Sequence, residues 1–141
     1  MSFIVIDPET DPRELFALGT RFHGHPGPFL ALGIRMGLLA LRILESPGFE
    51  GITAEVEAGT KPLSCLADGI QVSTGCTAGK GNLVIKPLGR AAAVFTANGK
   101  RLRMEVRPEW LVRIRTEKAS DHLSAAVLQA PVEELFAWTL F

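Results

Sequence analysis

The chain has 141 residues, 47% of them hydrophobic, with 15 basic and 15 acidic side chains that leave no formal net charge. That length buries one core and reads as one domain over residues 1–141. Zero net charge removes the counterion-release attraction on which sequence-independent nucleic-acid binding rests, so no nucleic-acid partner is expected.

No apolar run reaches the roughly 18–20 residues that a bilayer span requires. The longest, Phe29 to Leu41, is broken by Gly33, Arg35 and Gly37. The first residues carry no basic leader ahead of an apolar stretch, so a cytoplasmic location without a membrane association is expected. Thiols stay reduced there, and the two cysteines, Cys65 and Cys76, point to metal or redox chemistry or to buried structural thiols rather than to a disulfide.

In chain order, Thr10 or Asp11 caps a first helix, Pro12 suits its first position, and it is expected to end near Leu18 with Gly19 as the stop. A loop over residues 20–27 then holds His23 and His25. Pro28 opens a longer helix whose apolar residues cover most of its circumference, the mark of a helix buried on several sides. Gly33 and Gly37 form a smooth stripe on it, and Ser46-Pro47-Gly48 ends it. Residues 51–58 alternate apolar and polar, the period of a half-buried strand. Ser64 to Ser73 reads as a short helix, followed by a loop rich in Gly and Thr.

Three strands are expected over LVIKP, RAAAVFTA and KRLRMEV, the last two joined by the hairpin signal Asn98-Gly99. Helical segments follow over 109–118, 120–129 and 131–136. The expected fold class is α+β: a small, mostly antiparallel sheet with a three-stranded meander, helices packed on one face, and further helices at the C-terminus. The apolar helical surface exceeds what such a sheet covers, notably the Gly33/Gly37 stripe and residues 128–141, so a homodimer is expected.

The chemistry concentrates in two places. His23-Gly24-His25 can turn two imidazoles toward one point, and imidazole is a common ligand of zinc and its neighbours. The alternative is that one histidine caps the Pro28 helix and the other is exposed. Cys65 falls at a helix start, where free N–H groups favour the thiolate. Cys76 lies beyond the other end of that helix, about 12–15 Å away if Cys65 to Ser73 is helical. Then the helix is shorter, or one cysteine alone is a ligand, or Cys76 acts across a dimer interface. The metal candidates are therefore His23, His25, Cys65 and Cys76. Asp68 and Gln71 follow Cys65 on one helix side and could orient a histidine or hold a substrate. Thr77 and Lys80 sit in a glycine-rich loop that lacks phosphate-loop spacing but could bind an anion. His122 reads as structural or as a subunit contact.

The stretches FHGHPGPFLALGIRMGLLAL and SCLADGIQVSTGCTAGKGNL, the strand GRAAAVF and the ending LQAPVEELFAW together resemble the FmdE family, the E component of formylmethanofuran dehydrogenase. The resemblance implies an α+β core, homodimers, and a metal-containing cavity lined by the His-Gly-His segment and the two cysteine stretches. It further implies a one-carbon, molybdenum or tungsten oxidoreductase setting. Two departures stand out. The family pattern reads His-Gly-His-x-Cys-Pro-Gly, whereas Gly27 replaces the cysteine here and Phe29 the last glycine. No cysteine follows Cys76, so the resemblance is to the core domain without its C-terminal zinc finger.

The functions to weigh are a protein binding a transition metal, zinc or else nickel, with a small ligand, and a metal-dependent hydrolase or lyase with Asp68 as base. A non-catalytic component delivering metal or cofactor to a partner oxidoreductase is the third. An open metal position would serve the first two.

Overall fold

A computed structural model describes residues 3–118 and 120–141 of the chain. Its elements are α1 (Pro12–His23), α2 (Pro28–Leu44), β1 (Ile52–Val56), α3 (Cys65–Thr74), β2 (Leu83–Ile85), β3 (Ala92–Ala97), β4 (Lys100–Val106), α4 (Pro108–Thr116), α5 (Ser120–Gln129), α6 (Val132–Leu135) and β5 (Phe136–Leu140). This is an α+β fold with one five-stranded sheet in the order β2-β1-β3-β4-β5. Every pairing in it is antiparallel except β1 with β2. Among the described residues no helix is long and apolar enough to cross a membrane.

The period of two in β1 turns Ile52, Ala54 and Val56 inward and leaves Thr53 and Glu55 on the other face. Register places Phe95 between Ala54 and Leu102, so one sheet face is continuously apolar. Helix α2 lies at the centre of the core, with Leu30, Leu32, Ile34 and Met36 all fully buried. Arg35, the one charge within its apolar run, is satisfied: its guanidinium donates to the Val127 and Ala130 carbonyls, both at 2.7 Å, closing the C-terminal end of α5.

Four expectations change. Helix α1 does not stop at Gly19 but continues to His23, because Gly19 is a packing position. A Cβ there would already lie 3.3 Å from Ile34 Cδ1 and 3.4 Å from Leu30 Cδ1. The strand over residues 83–85 does not form a meander with β3 and β4. It lies parallel to β1, and α3 makes the crossover that parallel neighbours need. The segment after α6 is a strand, β5, whose burial is confined to Phe136, so it carries no alternation to read. Finally, the Gly33/Gly37 stripe is covered from within the chain. A Cβ on Gly33 would come within 2.2 Å of the Leu66 carbonyl oxygen, and one on Gly37 within 1.9 Å of Ser73 Oγ, both on α3.

Candidate metal centre

His23 is the last residue of α1. Gly24 follows at φ 105°, and its N–H donates to the Thr20 carbonyl at 2.8 Å, so the chain reverses at a residue without a Cβ. Gly27 and Pro28 then begin α2. The short connection brings the two imidazoles together, ring centroids 4.6 Å apart and planes tilted by 55°. Across from them, the close crossing of α2 and α3 brings up the first residue of α3, Cys65. One ligand atom from each of His23, His25 and Cys65 lies within 4.8 Å of the other two, a group that could hold a metal ion.

The next turn of α3 supplies the support. Asp68 Oδ2 meets His23 Nδ1 at 2.5 Å, and Asp68 Oδ1 accepts from Gln71 Nε2 at 3.1 Å. Gln71 Oε1 in turn accepts from the Ala78 N–H at 3.1 Å, which sets the way its amide points. An ionised carboxylate only accepts, so the proton of a neutral His23 ring sits on Nδ1 and Nε2 keeps a free lone pair. That Nε2 is buried and has no hydrogen-bond partner among the described residues. A buried polar atom without a partner is costly, and a cation at this point would satisfy it. On His25, Nδ1 lies 2.9 Å from the Pro26 carbonyl, so there too Nε2 is the free atom. Both rings thus have the arrangement in which a second partner fixes the tautomer and orients the ligand nitrogen.

The helix-start argument for a Cys65 thiolate is outweighed. Burial raises its thiol above the ordinary value and the Asp68 carboxylate adds to this, while a backbone hydrogen bond and Lys61 oppose them. A cation at the site would supply the missing compensation, since a metal-bound thiol is deprotonated.

The other residues singled out in the sequence fall elsewhere. Cys76 lies past the far end of α3, fully buried, with Sγ 3.6 Å from the Ile52 carbonyl oxygen. The ten-residue helix α3 separates it from Cys65, and complete burial keeps it from any subunit surface. Thr77 and Lys80 hold their own loop together. The Thr77 N–H donates to Asn82 Oδ1 at 2.9 Å, and Lys80 donates to the Gly75 carbonyl while standing 5.4 Å from the Phe3 and Phe49 ring centroids. His122 is exposed.

His23, His25 and Cys65 line a cleft of about 400 Å³, with Phe29, Leu30, Ile114 and Leu123 among its apolar walls and Arg115 at the end of α4 joined by Glu117 and Lys118 just past it. The sequence does not announce the contribution of residues 115–118. Nothing in a polar RTEK stretch distinguishes a cleft rim from an ordinary solvated helix end.

Fold and site together define an α+β protein with an imidazole–thiol group able to hold a metal, set in a largely apolar cleft. The chain belongs to the FmdE family, described as "FmdE, Molybdenum formylmethanofuran dehydrogenase operon", which matches residues 22–137. A tungsten formylmethanofuran dehydrogenase FmdE-like protein from Syntrophus aciditrophicus has the same fold, with a TM-score of 0.72 and 22% identity over 99% of this chain and 77% of that one. An Archaeoglobus fulgidus protein named "probable S-adenosyl-L-methionine-binding protein" is 36% identical over 88 residues. Those residues are 61% of this chain but only 24% of that protein.

Proposed function

We propose that this protein binds one transition-metal ion, zinc or else nickel, through His23 Nε2, His25 Nε2 and Cys65 Sγ, and offers it to a small molecule in the adjoining cleft. The observation that carries the reading is the buried, unpartnered Nε2 of His23, held by Asp68 beside two further donors. Two nitrogens and one sulfur suit zinc and its neighbours, and three protein ligands leave a position free, as in catalytic rather than structural zinc sites. Such an ion would supply Lewis-acid polarisation of a bound group. Both oxygens of Asp68 are engaged, by His23 and Gln71, so it serves as a positioning carboxylate and not as a general base.

The family description supports a place beside the other components of a molybdenum formylmethanofuran dehydrogenase. The exposed apolar residues Trp138, Leu140 and Phe141 at the β5 edge support association with a second copy. The deciding experiment is elemental analysis of the purified protein beside a His23→Ala/His25→Ala variant shown by circular dichroism to be folded. About one ion per chain is expected in the first and none in the second; equal content in both overturns the assignment.

A further inference from the structure

The charges around the cleft do not balance. Arg115, Glu117 and Lys118 all line it. Glu117 is already neutralised, since its Oε2 accepts from Arg113 Nε at 2.9 Å, one helical turn back. Arg113 is not among the lining residues. Arg115 and Lys118 have no ion-pair partner among the described residues. Asp68 does not line the cleft either, being engaged with His23 and Gln71. The opening therefore carries two cations with no anion of their own, next to a wall made by Phe29, Ile114 and Leu123.

We infer that the molecule this cleft takes is an organic anion with an apolar body. Its acidic group meets Arg115 and Lys118, and its body packs on Phe29, Ile114 and Leu123. A carboxylate or phosphate accepts bidentately from the Arg115 guanidinium and singly from the Lys118 ammonium. An apolar wall beside a few polar anchors is the usual composition of a small-molecule site, and a cleft of about 400 Å³ is in the usual size range. A neutral or cationic body of the same shape would leave both cations without a partner while filling the same space, which is the source of discrimination. The inference deepens the metal reading by naming the ligand class of the same cleft, but the anion contacts come from Arg115 at the end of α4 and Lys118 just past it, not from the three metal-ligand candidates.

The test uses the full chain loaded with Co²⁺ and titrated by calorimetry with 3-phenylpropionate, 3-phenylpropylamine and acetate. The expected order puts 3-phenylpropionate about tenfold or more ahead of both the amine and acetate. In an Arg115→Gln/Lys118→Gln variant the preference for the acid over the amine should fall about tenfold, with cobalt content unchanged. Equal binding of acid and amine by the unaltered protein overturns the inference. So does an acid preference that survives the double substitution, or the absence of binding by all three probes. If cobalt does not load, the metal reading fails, and the same titrations on the metal-free protein then decide the anion inference on its own.

Discussion

Gly33 of α2 and Gly69 of α3 meet backbone to backbone: a Cβ placed on Gly69 would lie 2.8 Å from the Gly33 Cα and 2.3 Å from the Leu30 carbonyl oxygen. This contact sets the height of α3 along α2, and with it the position of Cys65 and Asp68 opposite the two histidines. Neither backbone can give way as a flexible side chain would. Gly69→Ala should therefore cost stability by at least about 1–3 kcal/mol, and should weaken metal binding in whatever fraction remains folded. Urea denaturation followed by metal analysis checks both. A variant of unaltered stability would show that the helices separate freely.

Asp68 orients His23 without being a proposed ligand. Asp68→Asn should lower metal affinity by about 10–100-fold while leaving the fold intact. Gln71→Ala should have a smaller effect of the same sign, since it removes one of two contacts to the carboxylate. Competition against a chromophoric chelator measures both, and an unchanged affinity in Asp68→Asn would contradict the positioning role.

Position 27 can accept a side chain. Gly27 has φ 177°, extended backbone open to any residue, and a Cβ there would meet nothing closer than the His25 ring at 4.0 Å. Gly27→Cys should fold normally and bind metal more tightly than the natural sequence in the same chelator competition. Equal or weaker affinity in the folded variant would mean that this position faces away from the ion.

Cys76 gives the chain an alkaline liability. Burial pushes its thiol above the ordinary value of 9.0, against smaller opposing effects of Thr74 and Lys80. A raised folded-state value means that the folded protein keeps its proton longer than the unfolded chain does. Stability should therefore hold below the ordinary thiol range and decline as pH rises through it toward the folded value. Denaturation of Cys76→Ala between pH 7 and 10 should lack this component of the decline. An identical pH dependence in both proteins would rule out the buried thiol as its source.

The β5 edge, with Trp138, Leu140 and Phe141 exposed and no charged residue in the strand, is the expected surface for self-association. Light scattering at micromolar concentration should report about twice the 15.2 kDa of one chain. Trp138→Glu should shift it toward the single chain. A 15.2 kDa species from the unaltered protein would refute the dimer.

Much of this was legible in the chain because the signals are local. Asn98-Gly99 forms the β3–β4 turn, with Asn98 at φ 53° and Gly99 at φ 73°, because few other residue pairs tolerate those angles. Asp11 accepts from the Arg13 N–H and starts α1 where the sequence placed it. The long apolar run over α2 could only belong to a buried helix. The His-Gly-His spacing, with a cysteine opening a later helix, marked the residues that lie together. Distance in the chain hid the rest. Local pattern does not say which backbone will press on a glycine, so Gly19 read as a stop and the Gly33/Gly37 stripe as a subunit surface. Both are packing contacts made by a neighbouring helix, α2 against Gly19 and α3 against Gly33 and Gly37. The sequence offered both cysteines as metal candidates; α3 carries Cys65 toward the histidines and leaves Cys76 buried beside the Ile52 carbonyl. The partner of β2 was likewise a tertiary decision, since a three-residue strand has too few side chains to specify its neighbour, and the crossover through α3 delivers it to β1.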